Sequence, residues 1–281
     1  MKKRKGTAVL FIIPFLLFFL LFWLIPFVYG IAMSVTKYSL IQGNKGFVGF
    51  ANYIKILFSS SMYHKSFIQG LSNTVIFVVL TTPFLVFGSL FLALLLDRLP
   101  ERLKGIFRTI YFASYSVSVT AVAAVFVWLM KGNGGYFNNM LLSMGIIKSP
   151  IPWMEQQPFV WVALTVATVW WTIGYNMMLF VNALNEIDTN LYEASAMDGA
   201  GFWVQLRYII LPNIKNVFFF VLMTTIIASF NVYGQPRLMT KGGPGETTKP
   251  LIMMITSTIM DRNDLGVGSA MTILMGVVII L

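Results

Sequence analysis

Five stretches of this chain carry no charged side chain at all: 8–34, 71–96, 109–130, 159–184 and 217–233. A helix needs about 20 apolar residues to cross the hydrocarbon core of a bilayer, and these stretches are of that order. A sixth, 265–281, is slightly short and still apolar where the sequence stops. Such runs leave lipid as the main solvent, and the expected fold is an all-α membrane protein of about six transmembrane helices. Only 11% of the 281 residues are charged, against about a quarter in a soluble domain. Pro14, Pro26 and Pro83 fall inside the runs, where they kink a membrane helix without forbidding it.

The first run follows Lys2-Lys3-Arg4-Lys5. A signal peptide shares that basic start but has a shorter core and a small-residue cleavage site, so 8–34 is expected to be a retained span. The net charge of +10 fits anchoring against anionic headgroups better than nucleic acid, because Lys and Arg flank the apolar runs. Basic density is highest before the first run and at Arg98, Arg102, Lys104 and Arg108 in the stretch 97–108. This places the N-terminus, 97–108 and 185–216 in the cytoplasm. The segments near 35–70, 131–158 and 234–264 then face outside.

Several chemistries are excluded or disfavoured. The chain has no cysteine and a single histidine, His64, so thiol chemistry, Cys or His-His metal motifs and a Ser-His-Asp triad in a span are not expected. The run Gly242-Gly243-Pro244-Gly245-Glu246-Thr247-Thr248-Lys249 lacks the Gly-Lys-Ser/Thr ending of a phosphate loop and reads as an outer turn leading into a helix. The chain is thus expected to be no enzyme and to hold no cofactor or metal. The first five runs contain no ionisable residue, which disfavours proton coupling or voltage sensing. They do contain Trp170, Trp171, Tyr175, Asn176 and Asn182, with Asn231 and Tyr233 at the end of the fifth. Indole faces and amides suit a neutral polyhydroxy ligand in a substrate pathway. Interfacial anchoring and helix–helix hydrogen bonding account for the same residue types.

Between the fourth and fifth runs lies Glu193-Ala194-Ser195-Ala196-Met197-Asp198-Gly199-Ala200, followed by Ile209, Ile210, Leu211 and Pro212. Asn190, three residues before Glu193, is close to a capping-box spacing. Tyr192, Ala196, Gly199 and Trp203 fall at helical intervals. Asp198-Gly199 is a turn signal. The expected structure is a short helix, a bend at 199–201, a second helix from Phe202, and a turn at Pro212. A bland role for Glu193 is a helix cap. The alternative is a docking helix, since small residues let another surface approach the backbone.

This segment resembles the EAA loop of ABC-importer permeases, in which Glu-Ala-Ala is followed at a set distance by Gly and then Ile-x-Leu-Pro. Glu193, Ala194, Gly199, Ile209, Leu211 and Pro212 match, with Asp198-Gly199-Ala200 as the common extension. Ser195 replaces the second Ala, and Asp188 stands where many relatives have Pro. The resemblance extends along most of the chain toward the carbohydrate-uptake branch, the maltose-type and glycerol-phosphate-type permeases. It is carried by Phe47-Val48-Gly49-Phe50-Ala51-Asn52-Tyr53, Asn73-Thr74, Gly135-Tyr136-Phe137-Asn138 and Gly242-Gly243-Pro244-Gly245. Departures are Ala113-Ser114 and Asn231, where that branch favours a proline and an acid.

The resemblance implies a type I ABC-importer permease fold, with 1–281 as a single transmembrane permease domain and 185–216 as the cytoplasmic coupling loop. It implies a multi-pass protein of a bacterial or archaeal cytoplasmic membrane with both termini inside. Its partners would be a second permease subunit, two ATPase subunits that hold ATP and Mg, and an extracytoplasmic solute-binding protein that delivers sugar. ATPase coupling would fall to Glu193, Ala194, Ser195, Met197, Asp198, Gly199, Ala200, Leu211 and Pro212. The rival readings are a six-span secondary transporter, which needs a coupling-ion site, and a non-transporting membrane scaffold.

Overall fold

The computed structural model describes residues 2–281, with side chains from Phe11 onward; the basic cluster Lys2–Lys5 therefore lies outside the described side chains. The chain forms two compact units, one of residues 1–70 with 251–281 and one of residues 71–250.

In the first unit, α1 (Lys2–Phe19) and α2 (Ile25–Ser34) are joined by a widened, π-helical turn at Leu20–Leu24. Pro26 has no N–H to offer the carbonyl four residues back, and the widened turn accommodates that missing bond without ending the helix. The most apolar part of Phe11–Ser34 has no buried residue. A hairpin follows, β1 (Thr36–Ser39) antiparallel to β2 (Gly43–Phe47). The side chain of Asn52, buried on α3 (Ala51–Leu57), donates to the carbonyls of Ser34 at 2.8 Å and Thr36 at 2.9 Å and fixes the hairpin's exit from α2. α13 (Leu251–Met260) and α14 (Leu265–Ile280) complete this unit. Asp264 caps α14 through Val267 N–H and accepts from the Tyr63 hydroxyl at 2.9 Å. Gly266 is required where α14 meets the hairpin, because a Cβ there would lie 2.3 Å from the Thr36 carbonyl oxygen.

The second unit is built around α9 (Phe159–Asn185), whose buried residues recur along most of its length. α5 (Ser89–Asp97), α6 (Glu101–Tyr115) and α12 (Leu211–Phe230) pack on it. One apolar cluster joins Val86, Leu90, Phe180, Leu184, Ile214 and Val221; a second joins Phe77, Val122, Phe126, Leu164, Ala167 and Met239. α4 (Met62–Pro83) continues through a widened turn at Phe84–Gly88 into α5. α8 (Tyr136–Ser143) sits in the segment 131–158. A further widened turn, Pro236–Thr240, follows α12.

The structure revises several boundaries. Among the described residues, four helices are long and apolar enough to cross a membrane, Phe11–Ser34, Met62–Asp97, Phe159–Asn185 and Phe202–Phe230, or five if one bent pair counts as a span. That pair is the expected third span, 109–130. It breaks between α6 and α7 (Val119–Leu129), which meet at 93°. The cause is local: Ser118 turns extended and its hydroxyl caps Ala121 N–H at 3.3 Å, starting a new helix. α6 also begins at Glu101, so most of the expected loop 97–108 is helix and carries Arg108. The expected fifth span, 217–233, ends at Phe230 and starts much earlier. Pro212 makes no turn there, because the widened turn Leu206–Ile210 contains the carbonyl it cannot bond and the helix continues. The sixth run forms α14, a 16-residue helix, which is short for a span.

Candidate functional site

Two features of the second unit stand out, an exposed helix and a cavity. The exposed helix is α10 (Thr189–Met197). Asp188 is its N-cap, accepting from Asn190 N–H at 2.9 Å. Asp188 starts the helix, as an acidic N-cap can, and neither Asn190 nor Glu193 is the cap. The helix ends at Gly199, whose φ of +73° is a left-handed conformation that glycine adopts without strain. α11 (Phe202–Gln205) follows and runs through the widened turn into α12. The bend at 199–201 and the second helix are as the sequence predicts. The single face expected through Tyr192, Ala196, Gly199 and Trp203 does not form, because Gly199 ends the helix first. Tyr192 packs toward the first cluster and Trp203 is exposed.

Glu193, Ala194, Met197, Asp198 and Gly199 are all exposed, Met197 at 84%. Ser195 and Ala200 are half-buried, and Leu211 and Pro212 are exposed at the start of α12. Two contacts to neighbouring elements, and one within α10, hold this region together. Gln205 Nε2 donates to Ser195 Oγ at 2.9 Å, and Ser195 Oγ donates to the Tyr192 carbonyl at 2.8 Å. The Arg98 guanidinium lies 4.0 Å from the centre of the Phe202 ring. Tyr192 turns its hydroxyl inward, where it has no hydrogen-bond partner; burial and then the Asp97 charge raise its pKa.

The cavity, of about 470 Å³, is lined from α9 by Thr168, Trp171, Thr172, Tyr175 and Asn176. This is one helical stripe, spaced three and four apart. Trp171, Tyr175, Asn176, Asn231 and Tyr233 of the predicted pathway residues border it. Trp170 does not; it points to the opposite side and packs on Phe126. Asn182 does not either; it is exposed two turns past Tyr175. The structure adds Tyr115, Thr224, Thr225, Ser229 and Gln235. Helical spacing counted from Trp171 finds Thr168, and counted from Asn176 finds Thr172, whereas nothing local marks residues arriving from α6 and α12.

Hydrogen bonds shape the wall. Asn176 Nδ2 donates to Thr225 Oγ1 at 3.0 Å and to the Leu85 carbonyl at 3.3 Å. Leu85 lies in the widened turn, where helical bonding is irregular and carbonyls are open to side-chain donors. Trp171 Nε1 donates to the Val117 carbonyl at 2.9 Å, tying the indole to the break between α6 and α7. Tyr115 stacks on Tyr175 with ring centres 4.9 Å apart. Thr168 Oγ1 is buried with no partner. The lining thus combines aromatic faces with hydroxyls and amides and has no ionisable acid or base. Among the described residues no cluster of three or more His, Cys, Asp or Glu could hold a metal ion.

Comparison with known proteins adds three findings. Residues 55–281 match the family described as "Binding-protein-dependent transport system inner membrane component". Among relatives, the chain is 29% identical over 269 residues to the probable ABC transporter permease protein YurN of Bacillus subtilis, covering 95% of this chain and 90% of that protein. It is 34% identical over 191 residues to the lactose transport system permease protein LacF of Rhizobium radiobacter, covering 67% and 64%. Among solved structures, its fold matches a chain of a bacterial ABC transporter involved in the import of the acidic polysaccharide alginate. That match has a TM-score of 0.84 at 21% identity and covers 99% of this chain and 92% of the other.

Proposed function

This chain belongs to the family of binding-protein-dependent transport system inner membrane components, and on that footing we propose that it is a sugar-importing permease that forms half of a translocation pathway and is driven through α10. The exposed face of α10 carries this reading. Glu193, Ala194, Met197, Asp198 and Gly199 form a solvent-facing surface on which the small Ala194 and Gly199 lie between two carboxylates and the projecting Met197. An ATPase subunit can approach such a surface closely. Glu193 would be its polar contact and Ala194 and Ala200 its packing surface, with Leu211 and Pro212 setting the exit into α12.

The matched stretch from Glu193 to Pro212 and the relatives named for lactose and for trehalose/maltose transport support an ABC sugar importer. The cavity supports the same substrate class, since stacked Tyr115 and Tyr175 offer faces to sugar C–H groups and the threonines offer hydroxyls. The partners in this reading are a second, similar permease chain, two ATPases holding ATP and Mg, and an extracytoplasmic binding protein. A periplasmic protein bound to alginate pentasaccharide accompanies one structural neighbour. Residues 1–281 act as one permease domain in a bacterial or archaeal cytoplasmic membrane, with both termini and α10 on the cytoplasmic side. ATP binding would favour one access state through its different affinity for the two.

Gly199→Asp tests this reading. It adds a charge to the docking surface at a left-handed position that Asp tolerates better than most residues. In proteoliposomes containing the complete transporter, ATP-driven uptake and solute-stimulated ATP hydrolysis should both fall while membrane insertion is retained. Unchanged uptake and hydrolysis would remove α10 from the coupling path.

A further inference from the structure

A second pocket, of about 400 Å³ and open to the surface, lies along α6 where Met178 of α9 meets it. It is lined by Arg108, Thr109, Phe112, Ala113, Ser116 and Met178. The two cavities are linked by side chains: Phe112 contacts Tyr115 at 6.2 Å between ring centres, Tyr115 stacks on Tyr175, and Met178 lies one turn past Tyr175 on α9. Arg108 Nε is buried there without a hydrogen-bond partner. Lys104 Nζ holds Glu101 at 2.9 Å and Asp97 at 3.8 Å, and Arg108 reaches Glu101 only through space, as a weaker influence than Lys104. Arg108 is in none of the ion pairs among the described residues. A buried guanidinium N–H left unpaired is costly, and its planar fork matches a carboxylate or phosphate. The Ser116 hydroxyl on the same wall adds a further donor.

We propose that the Arg108 cavity is an oxyanion site that takes the carboxylate or phosphate of a transported solute after its sugar ring has passed the Tyr115–Tyr175 pair. Within the sugar class proposed above, the solute is then one that carries an anionic group, a uronate or a sugar phosphate. This rests on the import reading for the ligand's carrier but not for the anion site.

The test is an arginine footprint with phenylglyoxal on the complete transporter in phosphatidylcholine nanodiscs, read by mass spectrometry. D-Glucuronate and inorganic phosphate should slow modification of Arg108 several-fold relative to exposed Arg102 in the same molecule, and D-glucose should not. Equal rates with all three probes would overturn the proposal. So would an Arg108 inert under every condition, which would place a partner subunit over it. Protection that appears only when phosphatidylglycerol replaces phosphatidylcholine would assign the site to a lipid headgroup and overturn it as well. ATP-driven uptake in the same preparation reports on the import reading separately, so the two can fail independently.

Discussion

Gln205 reaches back across the bend at Gly199 and places its Nε2 2.9 Å from Ser195 Oγ. It is a direct side-chain hydrogen bond between α11 and α10, one that would resist hinging at the bend if the two short helices are pushed from outside. A coupling element needs that property, because a displacement at α10 reaches α12 only if the joint between them does not absorb it.

Gln205→Ala should therefore weaken coupling more than folding. A single hydrogen bond of this kind contributes about 0.5–1.5 kcal/mol, too little to prevent insertion. Uptake per ATP hydrolysed should drop, Ser195→Ala should do the same, and the double variant should be no worse than either single one. Strict additivity in that cycle would show that the pair does not act as a unit.

Gly174 marks the closest approach of α6 to α9. A Cβ at this position would lie 2.0 Å from the Tyr111 carbonyl oxygen, which is backbone and cannot swing aside. Gly174→Ala should push the helices apart at a cost of about 1–3 kcal/mol, the range for overpacking a tight core. The expected readout is a lower thermal midpoint of the purified protein in detergent. An unshifted midpoint would contradict the tight α6–α9 contact.

Asn176→Leu removes the donor that serves Thr225 Oγ1 and the Leu85 carbonyl. The Leu85 carbonyl keeps the Ser89 hydroxyl as a donor, but Thr225 Oγ1 loses Asn176 at a cost of about 1–3 kcal/mol, and the cavity wall between α9 and α12 loses its polar tie. Uptake should fall through a raised KM for solute, while solute-independent ATP hydrolysis, assigned in our proposal to the α10 side, persists. Equal loss of both activities would mean that Asn176 supports the fold rather than the pathway.

Periodic features were legible in the sequence. Charge-free runs near 8–34, 71–96 and 159–184 became long helices because lipid-facing backbone must bond internally, and length and composition alone express that requirement. The α10 helix was legible too, since Asp188 and Asp198-Gly199 each act on their own neighbours: a cap and a left-handed exit.

The break at Ser118 was hidden because the residues around it stay apolar, and hydropathy does not register a serine that caps rather than continues a helix. Pro212 misled in the opposite direction. A proline ends a helix only if its missing hydrogen bond is not absorbed, and the widened turn at Leu206–Ile210 absorbs it. Short-range chemistry thus decided which segments are helical, which end is capped and which helix lies bare at the surface. Which side chains share a cavity was a matter of packing. Tyr115, Asn176 and Thr225 come from three helices far apart in the chain, and they meet because Gly174 lets α6 close on α9 and Asn176 bonds α12 in place.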